Sequence, residues 1–140
     1  MIESGRRVVD ASVILSAVLP EIHTEAALSA LALVDKSYAP DLLPYETTSA
    51  LCARVAREDL SVEEADAKRR ELRDMPVVLS PAHDLDALAF ALANEMGHSV
   101  YDCFYLALAI EMECSLLTLD RRLALAAKGA NLGEYLDLIA

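Results

Sequence analysis

The sequence predicts an α/β fold in three layers, a central parallel sheet of about five short strands with helices on both faces. Three observations carry that expectation. Two short apolar runs each end on an acid, Arg6 to Asp10 and Cys114 to Asp120, and have the length and content of buried parallel strands. Longer stretches with helical spacing separate the runs, so strands alternate with helices as in crossover connections. Breakers fall at the joints, at Pro20, Pro40, Pro76, Gly97 and Gly129.

In chain order, the first strand is Arg6 to Asp10, followed by a short helix from about Ala11 to Leu19 that Pro20 stops. Glu21 to Asp35 has the composition of a second helix, with Leu28, Leu31 and Val34 on one stripe, and Lys36 to Ala39 forms a second strand. Asp41 is placed to cap the next helix, with Pro44 tolerated in its first turn, and Glu46 shares a stripe with Ser49, Ala50 and Ala53, small residues that allow close approach to the sheet. Ser61-Val62-Glu63-Glu64 is a capping box opening a charged, solvent-facing helix to about Asp74. Val77 to Leu79 is the third strand, and Ser80-Pro81 opens a helix with Leu85, Leu88, Leu92 and Met96 on one face. The helix beginning at Asp102 has almost no polar face over Phe104 to Ile110 and is expected to be buried on most sides. The run to Leu119 is the fourth strand, Arg121 to about Lys128 the last helix, and a fifth short strand is expected around Asn131-Leu132. Two helices between the second and third strands make a long crossover, suited to a clamp or a dimer surface.

The 140 residues fit one domain, 1–140, with no internal repeat, low-complexity segment or linker. No apolar run approaches a membrane span, and Met1 to Arg7 lead into a strand without a signal-peptide core, which gives an expectation of a soluble, cytoplasmic protein. Cys52, Cys103 and Cys114 are odd in number and lie in apolar patterns, so all three read as reduced core residues. His83 and His98 read as helix-end or surface residues. With 12 basic against 23 acidic side chains the net charge is −11, which argues against a nucleic-acid partner held by a general basic field. Basic residues cluster only locally, at Arg54 with Arg57, at Lys68-Arg69-Arg70 with Arg73, and at Arg121-Arg122, and the middle group reads as a solvated helix face.

Four acids remain after the dispensable ones are set aside: Asp10 and Asp120 at strand ends, Glu46 near a helix start, and Asp102 opening a buried helix. Taken alone, Asp10 reads first as an N-cap, and Glu46 fits a surface residue favoured by the helix dipole equally well. If the first and fourth strands are central neighbours, however, the four converge at the switch point of the sheet, where open α/β proteins bind ligands. Like charges crowded there must be neutralised. Oxygen-only donors point to a hard divalent ion, Mg²⁺ or Mn²⁺, and an ion so held makes phosphodiester hydrolysis the natural reaction. Ser12 and Thr118, each two residues from an acid, are placed to hydrogen-bond a carboxylate or a bound water, although an ordinary helix-start serine and strand-end threonine fit as well.

Asp10 in VVDASV, Glu46 in PDLLPYETTSAL, Asp102 in SVYDCFYLALA and Asp120 in LLTLDRRLA resemble the successive acidic motifs of PIN domains, and of their VapC toxin branch in particular. The resemblance runs from about Val8 to Ala127, and its most specific part is Tyr101 to Ala109 followed by TLDRRLA. It implies a PIN-like sandwich, a Mg²⁺-dependent endoribonuclease, for which the oxygen donors also admit Mn²⁺ as a substitute, and catalytic, metal-binding roles for Asp10, Glu46, Asp102 and Asp120. It also implies an RNA substrate, homodimerisation and neutralisation by a VapB-like antitoxin. Some relatives carry another acid two residues beyond Asp120, where this chain has Arg122. Arg57, Arg121 and Arg122 are the candidates for holding RNA outside the acidic crevice. Three other readings compete: a housekeeping PIN ribonuclease without antitoxin, a catalytically inactive PIN-like binding module, and a phospho-acceptor receiver domain. The last needs an early acidic pair and a lysine at a late strand end, and here Asp10 stands alone and Thr118 to Arg122 has no lysine.

Overall fold

Val8 and Val9 sit at the centre of the sheet because a β-branched pair, pointing to opposite faces, can fill the core on both sides at once. A computed structural model describes residues 5–139; residues 1–4, part of the segment read as lacking a signal-peptide core, and residue 140 lie outside the described residues. The central strand β1 (Arg6–Val9) pairs in parallel with β2 (Lys36–Pro40) and β4 (Ser115–Thr118). Outside these lie β3 (Val77–Ser80) and β5 (Leu136–Leu138), giving a five-stranded, all-parallel sheet in the order β3-β2-β1-β4-β5. The direction of winding reverses at β1, so the carboxyl ends of β1 and β4 border the crevice where the sheet can accept a ligand.

The register places Val8 opposite Leu116 and Val9 opposite Leu117. Val8 and Leu116 face the larger core, which is filled by α5 (Asp86–Met96), α6 (Val100–Met112) and α7 (Arg121–Gly129). Val9 and Leu117 face the opposite layer, built on α1 (Ala11–Val18) and α2 (Thr24–Ala32). A third cluster joins Leu19 to Leu51 of α3 (Leu43–Ala56) and Ala65 of α4 (Val62–Arg73), so the helical pair of the long crossover leans on α1. The expected α/β three-layer sandwich is therefore present. α6 is its central helix, with Cys103 and Tyr105 to Ala109 all buried.

Several local expectations need correction. The second helix is shorter than Glu21 to Asp35, because Thr24 Oγ1 accepts from the Glu21 backbone N–H and donates to Leu19 O, making a turn before the helix starts. Asp41 does not cap α3; its carboxylate accepts from the Ala82 backbone N–H and ties the end of β2 to the chain after β3. Ser49 and Ala53 are exposed, since α3 turns Leu43 into the main core and Leu51 onto Leu19 and Ala65 instead of laying small residues on the sheet. Cys52 is exposed on that outer face, whereas Cys103 and Cys114 are core residues. The segment after Pro81 starts as a 3₁₀ turn, Ala82–Leu85, before α5 begins. The fifth strand lies at Leu136–Leu138 rather than at Asn131-Leu132, where Asn131 takes a left-handed conformation (φ 63) that ends the α7 segment. The capping box is as read, with Ser61 Oγ accepting from the Glu64 N–H and Glu64 accepting from the Ser61 N–H. Among the described residues no helix is long and apolar enough to cross a membrane.

Candidate metal centre

Each of the four acids reaches the crevice from a different element. Asp10 follows β1 at the N-cap position of α1, but its carboxylate makes no cap bond. Instead Oδ2 accepts from Thr118 Oγ1 at 2.6 Å and from Ser12 Oγ at 3.0 Å, so strand β4 and helix α1 together fix it. The residue is 6% exposed. Burial pushes its carboxyl above the usual range, the Thr118 and Ser12 hydrogen bonds pull it down, and the charges of Asp102 and Asp120 push it up again.

Asp120 is the N-cap of α7. Its Oδ1 accepts from the backbone N–H groups of Arg122 and Leu123, while Oδ2 turns towards His98 Nε2 at 4.0 Å. One oxygen therefore starts the helix and the other faces the crevice. Asp102, in the first turn of α6, places Oδ2 2.9 Å from His98 Nε2. Burial raises its carboxyl, the neighbouring His98 lowers it, and Asp120 raises it. Glu46, in the first turn of α3, accepts at Oε1 from the Tyr105 hydroxyl at 2.6 Å. Burial raises Glu46, the Tyr105 bond lowers it, and Asp10 and Asp102 both raise it.

Asp10, Glu46 and Asp102 thus each sense neighbouring acids, and the cluster favours capture of either protons or a cation. The arrangement suits a divalent ion. One ligand atom each from His98, Asp102 and Asp120 can be chosen so that all lie within 4.8 Å of one another. Around a six-coordinate ion with bonds of about 2.1 Å, adjacent donors stand about 3 Å apart and opposite donors about 4.2 Å. Cys103, next to Asp102, is no rival ligand or nucleophile: burial, then the Asp102 charge, pushes its thiol up to about 11.

Two residues of the site escaped the sequence reading. Tyr105 looked like one more member of an apolar helix, and its hydroxyl partner lies 59 residues away. The sequence places His98 at a helix end, yet its side chain is only 11% exposed and is aimed at two acids; the one sequence signal for this is its four-residue spacing to Asp102. Of the arginines, Arg121 and Arg122 open α7 beside Asp120 and are exposed. Arg57 is not brought to the crevice. It caps the other end of α3, about 16 Å of helix from Glu46, and pairs with Asp59 at 3.2 Å.

The sheet order and the acids at its carboxyl edge define a three-layer domain with an acidic crevice. The sequence profile of the PIN domain matches residues 7–129, and the chain belongs to the PIN-domain family. Within that family it falls in the VapC branch. It is 38% identical over 119 residues to Ribonuclease VapC3 of Pyrobaculum aerophilum, covering 84% of this chain and 91% of that protein. It is also 31% identical over 121 residues to Ribonuclease VapC1 of Mycobacterium tuberculosis, covering 85% and 89% respectively.

Proposed function

We propose that the chain is the toxin of a type II toxin–antitoxin pair, an endoribonuclease that hydrolyses phosphodiester bonds in RNA with Mg²⁺ held by Asp10, Glu46, Asp102 and Asp120. The observation that carries this reading is the meeting of the four carboxylates at the β1–β4 edge, three of them with raised affinity for protons. The names of the VapC relatives support RNA as substrate and a VapB-like protein as antitoxin. A divalent ion bound there supplies Lewis acidity, polarising water and offsetting charge on phosphoryl oxygens.

The chain's own residues keep the acids in place. Thr118 and Ser12 converge on one oxygen of Asp10, which leaves the other oxygen outside those two bonds. The α7 backbone likewise occupies Oδ1 of Asp120 and leaves Oδ2 facing the crevice. Tyr105 stays protonated, since burial and then Glu46 push its hydroxyl far up, so it acts as a fixed donor to Glu46. Neutralising the acids also reconciles a net charge of −11 with a polyanionic substrate, and Arg121 and Arg122 are placed to meet phosphates flanking the scissile bond. Arg57 meets the RNA only where the strand runs on along α3. A homodimer in the cytoplasm completes the proposal.

Purified protein mixed with single-stranded RNA should cleave it with Mg²⁺ and stop in EDTA, and expression should arrest growth until a small neighbouring gene is co-expressed. Folded Asp10→Ala and Asp102→Asn proteins that both keep Mg²⁺-dependent cleavage would refute the assignment. Cleavage without growth arrest would favour the housekeeping ribonuclease. Tight metal binding without cleavage of any RNA would favour the inactive module.

A further inference from the structure

The loop between α5 and α6 aims an imidazole into the acidic crevice. Gly97, at φ 62, takes the left-handed conformation that ends α5, and the backbone N–H groups of Gly97 and His98 both return to Ala93 O. Ser99 is extended, and α6 begins one residue later. This tight stop holds the His98 backbone between two helix ends. Nε2 stands 2.9 Å from Asp102 Oδ2 and 4.0 Å from Asp120 Oδ2.

We propose that His98 Nε2 is a direct ligand of the divalent ion, making this a mixed nitrogen–oxygen centre that selects Mn²⁺ over Mg²⁺. The assignment rests on the metal-dependent reading above and adds a donor that the four acids do not include. Its geometry is the close grouping of one His98 nitrogen with one oxygen each of Asp102 and Asp120, all within 4.8 Å. Separations of 2.9 and 4.0 Å match adjacent and nearly opposite positions about an ion with bonds of about 2.1 Å. As a ligand, Nε2 would be the unprotonated ring nitrogen with the proton on Nδ1, and His98 and Asp102 would hold the cation in place of their contact with each other.

The consequence is chemical selectivity. Mg²⁺ favours oxygen donors and retains several waters, whereas imidazole suits transition ions. A neutral donor in place of a fifth carboxylate also adds a ligand without adding charge to an already repulsive cluster.

Pulsed electron paramagnetic resonance of Mn²⁺ bound to the full chain reads the ligand directly. A ¹⁴N coupling is expected in the unmodified protein and is expected to vanish in both His98→Ala and His98→Gln. Competitive titration should show Mn²⁺ affinity falling about tenfold or more in those variants while Mg²⁺ affinity changes less than about threefold. Bound Mn²⁺ without ¹⁴N coupling, or an unchanged Mn²⁺ to Mg²⁺ ratio in folded variants, overturns the His98 assignment and leaves the acidic site standing. Mn²⁺ that fails to bind, or binds as well to Asp10→Asn and Asp102→Asn, overturns the acidic site and this assignment together.

Discussion

Thr118 and Asp10, 108 residues apart in sequence, meet through a 2.6 Å hydrogen bond in which the threonine hydroxyl donates to Oδ2. The same Oγ1 accepts from the Asp120 backbone N–H at 3.0 Å, so one fully buried hydroxyl of β4 serves two acids. Thr118→Val preserves shape and removes only the oxygen. Denaturant unfolding should show a loss of about 1–3 kcal/mol, because the buried Asp10 carboxylate loses one of its two hydroxyl donors and the Asp120 N–H loses its acceptor. Metal titration should weaken about tenfold, with Thr118→Ser close to the unmodified protein. A Val variant equal in both measurements would remove Thr118 from the site.

The raised carboxyls give the metal-free protein an unusual pH response. Asp10, Glu46 and Asp102 all bind protons more readily folded than unfolded, chiefly through burial. Their contribution to stability is therefore full below the unfolded values of 3.8 and 4.5 and is lost as pH rises through the higher folded values. Glu21 acts in the opposite sense: burial raises it, but the Ser16 and Arg54 hydrogen bonds outweigh that, so its contribution disappears as pH falls through its lowered value. The melting temperature in EDTA should climb by a few degrees as pH falls from neutral towards the unfolded carboxyl values of 3.8 and 4.5, then fall in stronger acid as Glu21 and its like are protonated. Saturating Mg²⁺ or Mn²⁺ should flatten the rise, and a metal-free Tm that drops steadily from neutral pH would contradict it.

Asp102→Asn should separate stability from function. The amide can keep its contact with His98 and removes one charge from a crowded cluster, so the metal-free variant should melt at or above the unmodified protein. Ion-induced stabilisation, about 2.7 kcal/mol at a hundredfold excess over Kd for an intact site, should disappear. Differential scanning calorimetry with and without Mn²⁺ checks both halves, and an unchanged metal-induced shift would show that Asp102 holds no ion.

Tyr105→Phe tests the link between α6 and α3. Tyr105 is fully buried and its hydroxyl bond holds the Glu46 carboxyl down, so its loss should raise Glu46 further. Unfolding should change by about 1 kcal/mol. Metal affinity should fall most in mildly acidic solution and recover as pH rises, whereas a loss of affinity independent of pH would mean that Tyr105 acts by packing alone.

The parts of the fold legible from sequence were those where neighbouring residues carry the whole signal. Val8-Val9 and Leu116-Leu117 are apolar on both faces because both sheet faces are covered, and that is visible without knowing what covers them. The acids after them were legible for the same reason, since a charge at the end of a buried run has few structural excuses. β5 was misplaced because three residues, only partly buried, make no periodic pattern. Local capping rules point Asp41 at α3, whereas the N–H it serves belongs to Ala82, a partner 41 residues away. Glu46 is legible as an acid near a helix start but not from its stripe, because α3 turns Leu43 and Leu51 inward and leaves Ser49 and Ala53 in solvent. His98 and Tyr105 were hidden because each owes its role to a carboxylate that only the tertiary structure delivers.

The most direct test is an anomalous difference map from crystals grown with Mn²⁺. The expected result is a peak in the crevice at the β1–β4 edge, about 2.1–2.2 Å from carboxylate oxygens contributed by Asp10, Asp102 and Asp120, with Glu46 in contact directly or through water. A peak elsewhere on the chain, with the four carboxylates turned away from one another, would contradict it.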